Sequence, residues 1–269
     1  MFDPTDVLAR QFGTHLAETY LHHCGAHDPG YAPLIGAAAQ SLIARLATTD
    51  APYHDVRHTV MVVLAGQQIL CGRALDGPVP AQDWLHLTLA LLCHDIGYVS
   101  GVLAGDNGAT QVADETGQRI TLARGATDAA LAPYHVDRSK LFMREHFAAS
   151  EIVDVDRLCA SIEYTRFPVP DDNAYAETGT EAGLVRAADL IGQLGDPLQP
   201  RRVAGLYREF VETGMAERLG YASPADIREG TPAFYRAEVE PFIGDALALL
   251  RRTAEGQRWV AALQANVGR

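Results

Sequence analysis

Apolar residues along this chain recur at helical spacing, and no stretch alternates convincingly with period two. After the helix-start signal Asp3-Pro4, the positions Leu8, Phe12, Leu16 and Tyr20 share one face, which predicts a helix from Val7 to Cys24. Gly25 to Pro33 is turn-rich, Leu34 to Leu46 predicts a second helix, and Thr48-Thr49-Asp50-Ala51-Pro52 breaks the pattern. A third helix carries His58, Val60, Val63, Leu64 and Ile69 and runs to about Cys71. Asp76-Gly77-Pro78-Val79-Pro80 is a firm loop. From a start near Ala81 to Asp83, the next segment is almost wholly apolar between Trp84 and Cys93, so it reads as a buried core helix rather than an amphipathic one.

Between Gly97 and Pro133 the composition changes to small and polar residues, with glycines at 97, 101, 105, 108, 117 and 125. A stretch this long without periodicity is expected to be an irregular excursion of functional weight. Tyr134-His135 then opens a helix with Leu141, Phe142, Phe147 and Ile152 on one face. Shorter helices follow over Leu158 to Thr165, Glu181 to Leu194, Val203 to Val211 and Pro224 to Arg228. The last pattern spans Thr231 to Ala248 and runs on through Trp259, Val260 and Leu263, weakening near Gly256. No internal repeat is visible. The expectation is an all-α fold, one helical domain over 1–269 with its core about 53–193 and helical extensions at both ends.

Composition narrows the function. With 48% hydrophobic residues the chain can bury a sizeable core, so disorder is not expected. It carries 34 acidic against 22 basic residues, a formal charge of -12, which argues against binding nucleic acid or an anionic membrane. A phosphate-bearing small molecule stays open, because a bound metal inverts the local field. No apolar run approaches the ~20 residues of a spanning helix, and the first residues lack the basic-then-apolar order of a signal peptide. The four cysteines (Cys24, Cys71, Cys93, Cys159) are scattered, three of them in apolar helical surroundings that fit buried thiols; a reducing compartment and a cytoplasmic location are expected.

The candidate chemistry lies between Tyr53 and Asp95. His54 and His58 are four apart and share a helical face, while His94 and Asp95 close the apolar helix that follows. Imidazole and carboxylate delivered by buried helices are costly unless a cation sits between them. His58, His94, Asp95 and Asp189 therefore form a candidate set for a divalent metal, of a type that suits Mn, Zn, Fe or Mg. Two ions about 4 Å apart could clamp a phosphoryl displacement, with a water between them as nucleophile. Asp95 could bridge such a pair, and His135, then His146, are candidates for the second ion. His54, one turn from a ligand, is the candidate general acid, oriented by Tyr53, Asp55 or another acidic neighbour. Arg138 and Lys140, beside His135, are the first candidates for phosphate contacts, ahead of Arg57 and Arg166. His15, His22, His23 and His27 precede this stretch; the adjacent His22 and His23 face different directions on a helix, and that pair is read as surface or helix-end histidine.

The order His58 … His94-Asp95 … Asp189 resembles the HD superfamily of metal-dependent phosphohydrolases. Within it, the run Tyr53-His54-Asp55-Val56-Arg57-His58 is similar to a signature of cyclic-nucleotide phosphodiesterases, with Asp55 where that signature has asparagine. The likeness covers about Tyr53 to Gln193. It implies an all-helical fold of the phosphodiesterase-like type, one or two divalent ions, and hydrolysis of a phosphoester, a nucleotide foremost. Carried over by position, His54 matches the general acid, and His58, His94, Asp95 and Asp189 match the metal ligands. The run Ala187-Ala188-Asp189-Leu190-Ile191-Gly192-Gln193 resembles the segment supplying the last aspartate, and Gln193 is the candidate for a base-facing glutamine. Two alternatives remain open: a di-iron oxygenase using His135 and His146 as extra histidines, and a non-catalytic nucleotide sensor. A homodimer through the long C-terminal helix is also carried as an expectation.

Overall fold

The structure, a computed structural model, describes residues 3–25 and 28–268; His27 lies outside them. The fold is all-α, with one short hairpin. In chain order the helices are α1 (Pro4–Cys24), α2 (Tyr31–Leu46), α3 (Val56–Arg73), α4 (Ala81–Cys93), α5 (His135–Phe147) and α6 (Val155–Glu163). They continue as α7 (Glu181–Leu194), α8 (Gln199–Glu212), α9 (Met215–Leu219), α10 (Pro224–Phe234), α11 (Gly244–Leu250) and α12 (Ala254–Val267).

The apolar run predicted to be a core helix is one. Every residue of α4 from Trp84 to Cys93 is buried, and α2, α3, α6 and α7 pack around it. One continuous apolar core runs from Ala9 on α1 to Leu263 on α12, and a small second cluster joins Tyr53 to Val203, Leu206 and Ile227. Among the described residues no helix is long and apolar enough to cross a membrane.

The closest approach that matters to function is between α3 and α7. A Cβ on Gly192 would lie 2.6 Å from the Cα of Val62, so only glycine lets the two helices come together there. Val62 is one turn beyond His58, and Gly192 is three residues beyond Asp189. The contact therefore sets the distance between those two side chains. Asp55 caps α3 by accepting from the backbone N–H of His58 at 3.0 Å, and Thr180 caps α7 through Gly183 N–H at 3.2 Å.

Three expectations need correction. The excursion after Gly97 is not wholly irregular: Thr110–Val112 (β1) and Arg119–Thr121 (β2) form an antiparallel hairpin, with Gln111 opposite Ile120. At three residues each, these strands are too short to register as an alternating pattern. Helix α5 ends at Phe147, and Ile152 lies beyond it, 47% exposed rather than on the apolar face. The long C-terminal helix is several pieces: α10 gives way to a π-turn over Tyr235–Val239 and a 3-10 turn over Glu240–Phe242, before α11 and α12. Pro241 lies in that break and cannot donate a helical hydrogen bond. The apolar face of α12, with Trp259, Val260 and Leu263 buried, packs on α3 and α7 and is not available for pairing with a second copy.

Candidate metal centre

Three helices bring four side chains to one point: His58 (first turn of α3), His94 and Asp95 (just past the end of α4) and Asp189 (middle of α7). His58 Nε2 is 3.2 Å from Asp95 Oδ2 and 3.2 Å from Asp189 Oδ1. His94 Nε2 is 3.3 Å from Asp95 Oδ2, 3.6 Å from Asp189 Oδ1 and 3.4 Å from His58 Nε2. His58, His94 and Asp95 are almost wholly buried.

These spacings fit a cation better than hydrogen bonding. Ligand bonds of about 2.1 Å place neighbouring donor atoms about 3.0 Å apart at right angles and about 3.4 Å apart in a tetrahedron. Asp95 Oδ2 and Asp189 Oδ1 are buried and make no hydrogen bond, a costly state that a shared cation relieves. The tautomers agree. The Nδ1 of His94 lies 2.7 Å from the Leu91 carbonyl and that of His135 lies 2.6 Å from the Ala132 carbonyl. Donation there leaves each Nε2 with a lone pair turned to the centre. These buried His and Asp groups could hold a metal ion.

The electrostatics point the same way. Burial alone would lower the His58 imidazole, yet the Asp189 and Asp95 carboxylates outweigh it and push it up to about 9. Burial would raise Asp189 and Asp95, and the neighbouring imidazoles hold both carboxyls well below the usual range instead. Two buried carboxylates so close together demand positive charge. His135 differs: burial lowers its imidazole more than Asp95 raises it, so it stays a neutral donor. Its Nε2 is 3.8 Å from the other Asp95 oxygen, Oδ1. Asp95 thus turns one oxygen to the His58–His94–Asp189 set and the other to His135.

His54 stands beside this set without the same partners. One of its ring nitrogens lies within 4.8 Å of ligand atoms of His58 and Asp95. Its Nδ1 is 2.5 Å from Glu209 Oε2, and Glu209 Oε1 accepts from the backbone N–H groups of Tyr53 at 2.6 Å and His54 at 3.0 Å. Burial would raise the Glu209 carboxyl, but the His54 imidazole and those two N–H groups hold it below its ordinary value. Glu209 was not among the residues expected here. It comes from α8, 155 residues from His54. Neither Tyr53 nor Asp55 hydrogen-bonds the imidazole, although the Tyr53 ring meets it edge-on at 5.2 Å. Asp55 is a helix cap paired with Arg202 at 2.9 Å, and Arg202 also binds the Tyr53 carbonyl and lies 4.7 Å over the Tyr53 ring. Arg202 and Glu209, seven apart on α8, share the face that grips the Tyr53-His54-Asp55 segment.

The cations expected at a phosphate are committed elsewhere. Arg138 is fully buried and donates to the carbonyls of Gly97 (2.7 Å), Val99 (2.9 Å) and Val112 (2.5 Å) and to both Asp106 oxygens. Its donors are spent on holding the excursion to α5, so it is not a substrate contact. Lys140 pairs with Glu163 at 2.7 Å and Asp137 at 2.9 Å, and Arg166 binds the same two carboxylates. Arg57 makes a two-pronged pair with Asp196 at 2.9 and 2.6 Å. His146 stacks on Phe142 at 3.9 Å. Lying three turns along α5 from His135, a rise of about 16 Å, it is no ligand. Gln193 is half-buried, one turn beyond Asp189. On the outer side, the excursion residues Leu122 and Arg124 line an open cavity of about 770 Å³. Tyr134, next to His135, and Glu212, one turn past Glu209, line it too.

A family model described as Npun_R2479-like matches residues 2–269. No curated protein matches the chain.

Proposed function

The chain belongs to the Npun_R2479-like family, and from the side chains gathered at its centre we propose that it is a metal-dependent phosphohydrolase of the HD type. Its substrate on this reading is a small phosphoester, a nucleotide foremost. The observation that carries the proposal is a buried donor set demanding a cation, next to one imidazole, His54, that a carboxylate outside that set holds.

His58, His94, Asp95 and Asp189 would hold one ion, and Asp95 Oδ1 with His135 offers donors for a second. The nitrogen and carboxylate donors suit Mn, Zn or Fe, or Mg with several waters. When bound, such ions supply Lewis acidity toward the phosphoryl oxygens and a water acidic enough to attack at neutral pH.

The chain's own groups do the rest. With Nδ1 held by Glu209, His54 has Nε2 for the proton that the departing oxygen takes as the P–O ester bond breaks. Glu209 fixes the tautomer and stabilises the imidazolium before transfer. Gln193, half-buried one turn beyond Asp189, remains the candidate contact to the base. The oxygenase alternative loses one of its two extra histidines with His146.

The test is a hydrolysis panel. Manganese-loaded protein offered nucleotides and cyclic nucleotides should release phosphate or a nucleoside monophosphate from at least one of them. His54→Ala should lower that turnover about 10²- to 10⁴-fold at unchanged metal content. No product from any member, with metal bound, contradicts the proposal. Equal metal loss in His54→Ala would put His54 in the ligand set instead.

A further inference from the structure

Tyr98 has no role in the chemistry above, yet its ring fills the space between two of the imidazoles. On one side it stacks on His54, with centroids 4.4 Å apart and planes 8° from parallel. On the other it stacks on His135 at 4.6 Å and 28°. Its segment is fixed on several sides. Gly97 N–H donates to Ser139 Oγ at 2.9 Å, Ser139 Oγ donates to the His94 carbonyl at 2.7 Å, and the buried Arg138 holds the carbonyls of Gly97 and Val99. A Cβ on Gly97 would sit 2.0 Å from the His135 carbonyl oxygen, so this backbone lies directly against the start of α5.

The hydrogen bond to Glu209 holds His54 at Nδ1 alone, the Tyr53 and His58 rings meet it edge-on at 5.2 Å, and its face is left to Tyr98. An imidazole nitrogen within 4.8 Å of the ligand atoms of His58 and Asp95 needs little movement to become a ligand. We propose that Tyr98 is a positioning residue whose ring keeps the His54 and His135 imidazoles apart, so that His54 stays a proton donor and does not fall onto the metal set. The stacking, rather than the hydroxyl, does the positioning.

The inference rests on the proposed hydrolysis for its kinetics alone; its structural arm is independent of activity. That arm uses histidine-labelled protein loaded with zinc, which is diamagnetic, and reads the imidazole C–H resonances, assigned with His54→Gln and His135→Gln. In the wild-type protein both His54 and His135 should be shifted upfield by the ring between them. Tyr98→Phe should keep both shifts and Tyr98→Leu should lose both, with His15 unmoved. Absence of the upfield shifts in the wild-type protein overturns the proposal, whether or not Tyr98→Leu folds. In the kinetic arm, Tyr98→Leu should lose about 100-fold in kcat on an alkyl phosphoester, whose leaving oxygen needs the proton. It should lose little on a p-nitrophenyl ester, and Tyr98→Phe should be near wild type on both. Equal losses on the two esters, or a Tyr98→Phe as impaired as Tyr98→Leu, would overturn the positioning role. A wild-type protein with the stacked resonances but no hydrolysis of either ester would sink the proposed function alone.

Discussion

Asp95 shows how much one residue can do here. Its two oxygens face different imidazole partners, and one of them has no hydrogen bond at all. The His-Asp pair, His58 and Asp189 were legible in the sequence, because imidazole and carboxylate set beside the apolar faces of helices demand an explanation. Glu209 was not, since nothing local ties it to His54 across 155 residues. A signal was present all the same: Gln199, Val203, Leu206 and Glu209 form the buried face of α8, so an acid occupies a core position. Arg138 and Lys140 were misread for the opposite reason. A basic residue near a ligand in sequence points wherever its helix turns it, and these turn toward Asp106 and Glu163. The role of Glu209 is open to direct measurement. Glu209→Gln keeps an oxygen for the Tyr53 and His54 N–H groups but removes the charge behind the imidazole. It should lower kcat on the order of 100-fold while metal content and melting temperature stay close to wild type. A variant at full activity would show that the carboxylate plays no part in proton transfer.

At the scale of elements, what was legible depended on length. The sequence pattern placed α7 at its observed bounds, Glu181–Leu194, because fourteen residues carry several apolar repeats. The β1–β2 hairpin, at three residues a strand, falls below any period. The C-terminal pattern kept its apolar spacing through Pro241, but a missing N–H broke the helix there. Helices α5 and α6 are joined by an ion cluster in which Glu163 meets Lys140, Arg166 and Tyr175. Burial raises the Glu163 carboxyl, but its cationic and phenolic partners outweigh it and bring it from 4.5 to about 2. A carboxyl depressed in the folded state adds stability above its unfolded value, and that contribution is lost as pH falls toward the folded one. Wild type should therefore exceed Glu163→Gln in stability above about pH 4.5, and the two should converge near pH 2. Denaturant melts of both proteins across that range check this. A difference that does not shrink with acid would mean the pairs contribute by packing alone.

For the molecule as a whole, the apolar packing of α3, α4 and α7 and the centre they share are one construction. Gly192 lets α3 and α7 close to the distance at which His58 and Asp189 share a point, and α4 ends there with His94 and Asp95. Bringing two carboxylates together inside a chain of formal charge -12 runs against its own electrostatics, and a divalent ion offsets that locally. An ion that binds only the folded chain also stabilises it, by about 2.7 kcal/mol at a hundredfold excess over Kd. The central claim is that these four side chains share a cation, and metal content after dialysis tests it most directly. Chelator-treated wild-type protein, dialysed against zinc or manganese and then against metal-free buffer, should retain at least one ion per chain. Asp189→Ala, folded by circular dichroism, should retain far less. A correctly folded wild-type protein that emerges with no divalent ion, or an Asp189→Ala that keeps the full complement, would contradict the account.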